Sequence, residues 1–206
     1  MARKTKEEAE QTRADIISAA RRMFHRFGVA RTNLDMIARD SGVTRGAVYH
    51  HFKNKSELFF AMRECIVLPL FDSVGALVEQ NSKQDPLKAM HQGLMALFRT
   101  IQEDQAIREM FEIMVLRCEY VDEFVDILNI KVACSEEFIC QHESDYKLAL
   151  EMGLLTKTLS PRALAEDTFL FVHGLLNFWL ASGGPDRPLA EVEARIAAHL
   201  ALRRAS

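Results

Sequence analysis

No proline interrupts this chain before Pro69, and its 206 residues hold only five prolines and nine glycines. Proline inside a helix removes a backbone donor, and glycine adds freedom that folding must remove. A chain poor in both, and rich in Ala, Leu, Glu and Arg, is expected to be all-α. Periodicity agrees with composition. Ile16, Ala20, Met23, Phe24 and Phe27 recur at the spacing of one helix face, and Gly28 follows as a stop. Read onward in the same way, start signals, stop signals and apolar spacing predict about nine helices. They cover roughly residues 7–27, 32–40, 44–50, 55–80, 86–101, 105–117, 122–152, 161–182 and 189–203. Pro69 falls inside the fourth and predicts a kink there.

The segment from Thr32 to Glu57 is the most densely punctuated. Thr32-Asn33-Leu34-Asp35 reads as a hydroxyl cap with a carboxylate three residues on. Ser41-Gly42-Val43 turns the chain, Thr44 caps a second short helix, and Asn54-Lys55-Ser56-Glu57 opens a third. Helix, glycine turn and short helix is the helix-turn-helix arrangement. Its second helix leaves Val48 and Ala47 for a core and frees Thr44, Arg45, Tyr49 and His50 to point outward. That suits a DNA groove, although short helical hairpins in enzymes look similar and the pattern alone leaves both open. Charge favours the groove. Residues 1–57 hold 12 Lys+Arg against 7 Asp+Glu, a net of +5, whereas the remainder holds 14 against 22.

One string of residues narrows the choice. Thr12-Arg13, Ile16-Ile17, Ala19-Ala20, Phe24, Gly28, Thr32, Ile37-Ala38, Gly42-Val43-Thr44, Gly46, Tyr49, His51-Phe52, Lys55 and Leu58 run without a gap. Together they resemble the DNA-binding signature of the TetR family of bacterial regulators. The opening residues and Val43-Thr44-Arg45-Gly46-Ala47 resemble its AcrR/TtgR-like branch of multidrug-efflux repressors. His50 departs from the tryptophan that close relatives often carry.

The resemblance implies a helix-turn-helix DNA-binding domain over residues 1–56 and a helical ligand-binding and dimerisation domain over 57–206. It also implies a homodimeric repressor, bound to a palindromic operator and released by a small aromatic or amphiphilic effector. Physics and resemblance select the same DNA-facing residues. Arg45 can bond guanine O6 and N7 as a pair, and Gly46 lets the backbone approach the bases. Thr32, Thr44, Tyr49 and His51 are donors suited to phosphate, with His50 beside them. Lys55 adds its charge at a helix N-terminus. Arg3, Lys4 and Lys6 form a candidate arm.

In the remainder, Thr168–Ala181 is apolar on every face and must be covered all round. A partner subunit on one side explains this, as does a central helix of a monomer. The alanine-rich stretch after it permits a close helix-to-helix dimer contact. Large flexible apolar residues on several helices are candidates to line a ligand cavity: Met62, Ile66, Phe98, Phe111, Met114, Val115, Phe138 and Phe169, with Cys134 as a weaker one. His173 and Asn177, four apart, put polar groups on one face of an apolar helix and join that set.

The four cysteines show no metal-ligand spacing and are expected to be buried, reduced thiols. No Gly-rich phosphate loop, HExxH or GxSxG motif is present, so no catalytic residue, metal or cofactor is assigned. The charged opening residues do not read as a signal peptide, and the longest apolar run is too short for a membrane span. A cytoplasmic protein is expected. An all-helical small-molecule-binding protein, or an activator of the same fold, is the competing reading.

Overall fold

In the computed structural model, residues 6–121, 124–156 and 159–205 are described. The chain divides into two compact units, one of residues up to Pro69 together with Gln105–Leu128, the other of the rest. The first therefore extends past the expected boundary at residue 56.

The first unit holds α1 (Lys6–Phe27), α2 (Leu34–Ser41), α3 (Arg45–His51), α4 (Lys55–Ile66) and, from later in the chain, α7 (Gln105–Leu116). Helix α1 packs on α2, α4 and α7. Its inward residues Ile16, Ala20 and Phe24 are buried, as are Ile37, Val48, Phe52, Leu58, Phe59, Met62 and Ile113 of the same unit. The Phe24 and Phe59 rings lie 6.2 Å apart. The Arg21–Glu109 ion pair and a side-chain contact between His25 and Glu112 fasten α1 to α7. Arg22 clasps Asp40 at 2.6 Å and so ties α1 to α2.

Caps set the short helices. Asn33, not Thr32, caps α2: its side chain accepts from Met36 N at 2.9 Å. Gly42 ends that helix at φ +70°, a left-handed conformation that glycine adopts without a Cβ clash. Thr44 accepts from Ala47 N, and Asn54 accepts from Glu57 N. Glu57 returns a bond to the backbone N–H of Lys53 at 2.7 Å. Together Asn54 and Glu57 satisfy two donors that a helix start leaves bare.

The expected helix 55–80 is two helices. α4 ends at Ile66, and α5 (Leu68–Ser82) begins two residues later. Pro69 thus sits in a first turn, where its missing N–H costs nothing, instead of in an interior where its ring would strike the carbonyl four residues back. With that one division, the nine expected helices become ten among the described residues.

The second unit holds α5, α6 (Pro86–Glu103), most of α8 (Val125–Glu151), α9 (Pro161–Ala181) and α10 (Leu189–Ala201), with a single 3-10 turn at Gly184–Asp186. α6 approaches α5 so closely that a Cβ on Gly93 would stand 2.4 Å from Val78 Cγ2, which only glycine avoids. Leu87, Met90, Phe98, Ile101, Tyr146, Val172, Trp179 and Ile196 fill the core, with Phe98 edge-on to Trp179 at 5.6 Å. A buried polar chain joins three helices. Tyr146 Oη is 2.7 Å from Thr168 Oγ1, which is 3.0 Å from His199 Nε2.

The expected burial of the cysteines needs correction, and the cover on α9 is incomplete within one chain. None of the four free cysteines is buried: Cys65 and Cys140 are exposed, Cys118 and Cys134 half-buried. In α4, Cys65 stands seven residues after Leu58 on the buried side, but in the last turn, where it lines a groove with Arg13 and Ala106 instead of entering the core. Helix α9 is likewise not covered all round within one chain. Val172, Leu175, Leu176 and Trp179 face inward, while Leu170 and Phe178 are 66% and 55% exposed.

Candidate nucleic-acid interface

Helix α3 is seven residues long, and Val48 is its one buried residue. Thr44, Arg45, Gly46, Tyr49 and His50 are exposed, and Ala47 is half-buried. That is the division expected from the sequence. Its cause is local: a helix of two turns anchored by a single apolar side chain must present its other faces outward. Gly46 has no internal reason to be glycine. A Cβ there would meet nothing nearer than Thr44 Oγ1 at 3.9 Å. Glycine within a helix costs about 0.5–1 kcal/mol relative to alanine, so the open space outside it is the remaining explanation.

Arg45 is exposed but not loose. Its Nη1 donates to Asp35 Oδ2 at 3.3 Å, and its Nη2 donates to Tyr49 Oη at 3.3 Å. The guanidinium carbon stands 5.3 Å from the centroid of the Tyr49 ring. The hydrogen bond to Tyr49 and then the Asp35 charge raise the Arg45 pKa further above its ordinary value. His50 packs edge-on to His51 at 5.4 Å, and half-buried His51 lies 6.3 Å from the Phe52 ring.

Two expected phosphate contacts stand elsewhere. Thr32 is 1% exposed, and its hydroxyl faces the carbonyls of Gly28 at 2.8 Å and Met23 at 3.2 Å. It closes the end of α1 because Asn33 has taken the capping position on α2. Lys55 is half-buried: its Nζ donates to the carbonyl of Val29 at 3.2 Å and lies 5.7 Å from the Phe124 ring. The residue that sequence reasoning missed is Asp35. Ten positions from Arg45 and across a turn, it carries no periodic signal; only the packing of α2 on α3 joins them. Lys6 opens α1, whereas Arg3 and Lys4 lie outside the described residues.

The ligand candidates fall in both units. In the first, Met62 and Phe111 are buried and Met114 and Val115 half-buried. Ile66 shares the wall of a groove of about 340 Å³ with Arg13, Cys65 and Ala106. In the second, Phe98 belongs to the core and Cys134 is half-buried. Phe138, Phe169 and His173 come together there, with ring separations of 5.7 and 5.8 Å. His142, absent from the sequence-based set, stacks on Phe138 at 3.9 Å. Burial pushes His142 down to about 4, so its imidazole is neutral at pH 7, and burial also lowers His173, helped by the charge of Lys131. Asp145, one turn along α8, is buried with its Oδ2 unpaired, and burial lifts its carboxyl to about 7. Asn177 does not join the group; it is exposed on the outer side of α9.

No described helix is long and apolar enough to cross a membrane, and no cluster of three metal-ligating side chains occurs among the described residues.

Comparison with known proteins agrees with this geometry. Residues 16–62 match the model of bacterial regulatory proteins of the tetR family. Residues 85–197 match that of the C-terminal region of MAATS-type transcriptional repressors. The HTH-type transcriptional regulator TtgR of Pseudomonas putida is 37% identical over 182 residues, covering 87% of this chain and 85% of that protein. Among solved structures, NalD is the secondary repressor of the MexAB-OprM multidrug efflux pump in Pseudomonas aeruginosa. It superposes with a TM-score of 0.84 at 28% identity, covering 97% of this chain and 98% of that one. The SmeT–triclosan complex does so with 0.76 at 30%, covering 95% and 93%. By both family matches and by its relatives, the chain belongs to the TetR family of bacterial transcriptional regulators.

Proposed function

We propose that this protein is a ligand-responsive transcriptional repressor, not an enzyme, that acts in the cytoplasm as a homodimer. It binds a palindromic operator through α2 and α3, and an aromatic or amphiphilic effector releases it. The observation that carries the reading is the outer face of α3, where Thr44, Arg45, Tyr49 and His50 surround a glycine that nothing inside the protein requires. In a major groove Arg45 bonds guanine O6 and N7, Gly46 allows close approach, and Thr44, Tyr49 and His50 reach neighbouring bases and phosphates. His51 and Lys55 hold the frame behind them. We assign operator reading to residues 1–56, and effector binding and dimerisation to 57–206.

Dimerisation is supported by the exposed stripe Leu170, Gly174 and Phe178 on α9, together with exposed Ala190, Ala194, Ala197, Ala198 and Ala201 on α10. Small and apolar residues on two adjacent helices suit a four-helix contact with a second copy. The effector reading draws on SmeT bound to triclosan and on the aromatic group of Phe138, Phe169, His142 and His173. Within the first unit, helix α7 carries Phe111, Met114 and Val115 and contacts α1 through Glu109 and Glu112. Control of an efflux pump is the further part of this reading, supported by the likeness to NalD.

Footprinting on DNA flanking the protein's own gene tests this. The expected result is one protected near-palindrome with half-sites about 34–36 Å apart, or a multiple of that, lost on adding triclosan or another planar aromatic. Protection that lacks two-fold symmetry and ignores every such compound contradicts the reading.

A further inference from the structure

An exposed arginine usually samples many rotamers, and fixing one is a cost each time it binds. Arg45 is fixed already. Asp35, in the first turn of α2, holds Nη1 at 3.3 Å and lies 3.1 Å from Nε, while Tyr49 holds Nη2 from one turn along α3. Two elements thus set the guanidinium plane before any DNA arrives. These two hydrogen bonds use two of the five N–H donors, and three remain, one more than guanine O6 and N7 need. Asp35 is not needed as a helix cap, because Asn33 fills that role on α2. Its carboxylate is half-exposed beside the outward face of α3.

We infer that Asp35 is a positioning and specificity-determining residue for operator recognition: it holds Arg45 toward the bases and withholds its charge from phosphates. The inference rests on the proposed role of α3. Non-specific affinity comes from cations that neutralise phosphates. An arginine already paired with a carboxylate contributes little to it, whereas base-edge hydrogen bonds leave the pair intact. Asp35 therefore lowers affinity for random DNA more than for the operator, and discrimination is the ratio of the two.

The test measures affinity for the operator, for its single-base variants and for random duplex, across a range of salt, in wild type, Asp35→Asn, Asp35→Ala, Arg45→Ala and the Asp35→Asn/Arg45→Ala double variant. Asp35→Asn is expected to tighten random-DNA binding roughly threefold to tenfold with a steeper salt slope, and to change operator binding less. Asp35→Ala additionally flattens base preference at the one position per half-site that Arg45→Ala flattens. In the Arg45→Ala background the effect of Asp35→Asn on discrimination disappears. A simple structural role for Asp35 would instead lower thermal stability and weaken all duplexes alike. If Arg45→Ala erases a base preference that Asp35→Ala leaves intact, or if the Asp35→Asn effect persists without Arg45, this inference is overturned and the role of α3 stands. If Arg45→Ala leaves base preference untouched, both are overturned.

Discussion

Helices α3 and α9 each leave one face uncovered in the single chain, and the chemistry of the two faces is opposite. On α3 the open side carries a hydroxyl, a guanidinium, a phenol and an imidazole around a glycine; on α9 it carries Leu170, Gly174 and Phe178, with Asn177 as the one polar side chain among them. Polar groups that are already hydrated gain little from apolar cover but much from a matched set of donors and acceptors. A large apolar side chain gains from any surface that excludes water. The first face therefore waits for a specific polar lattice and the second for another apolar face. A repressor that must read two half-sites needs both, since the second sets the spacing at which the first is presented twice.

The largest expected effect comes from breaking the apolar face. Leu176 and Trp179 are poor choices for this, because both are buried within the chain, where an unpaired charge costs several kcal/mol and threatens folding itself. Phe178→Glu changes a residue that is open in one chain. Sedimentation should return folded monomer at micromolar concentration, and operator affinity should fall by at least two orders of magnitude as the two half-sites act alone. A dimer of unchanged affinity places the contact elsewhere.

A smaller effect separates the interior of the second unit from its surface. Asp145, lifted to about 7 by burial from an ordinary 3.8, keeps a proton when folded that the unfolded chain releases. Its contribution is full below the ordinary value and is lost as pH rises toward 7. His142 and His199, both held down to about 4, act in the opposite sense. Below about 6.5 the unfolded chain takes up protons that the folded chain refuses, so stability falls as pH drops. Asp145→Asn should thus raise thermal stability at pH 8, by about 1–3 kcal/mol, and by progressively less toward pH 5. An offset that is constant from pH 5 to 8 contradicts a carboxyl titrating in the interior.

The smallest effect concerns Lys55. Held by the Val29 carbonyl and the Phe124 ring, it should contribute about 1 kcal/mol of stability. Lys55→Ala should shift the slope of log K against log salt by less than the roughly one unit expected of a direct phosphate contact. A full unit returns Lys55 to the interface.

These cases divide the legible from the illegible. The outward set on α3 was readable because a seven-residue helix with a single large aliphatic residue leaves its hydrogen-bonding side chains nowhere else to go. The family signature was readable because it runs unbroken through the turn. Thr32 misled because its hydroxyl is chemically equal to the task, and only the competition with Asn33 for the cap turns it inward. Lys55 is ambiguous in the sequence for a similar reason: a long cation reaches either a phosphate or a nearby carbonyl, and here it donates to the carbonyl of Val29. The proline signalled a break but not its register, which falls at Val67, ahead of Pro69. The cysteines depart from their average tendency to be buried; Cys65 shares the phase of buried Leu58 but sits in the last turn of α4, beyond the core. His142 gave a faint signal, four residues after Phe138 on the same helix face, that a search for apolar residues passes over.

The central claim is that α3 reads bases and that Arg45 does the reading. Fluorescence anisotropy against the footprinted operator and its single-base variants, at fixed salt, tests it most directly with wild type and Arg45→Ala. Loss of about an order of magnitude in affinity for the operator, with preference erased at one base pair in each half-site and retained at the others, is the predicted result. Uniform weakening with every base preference intact, or no weakening at all, would contradict it and move recognition to another part of the chain.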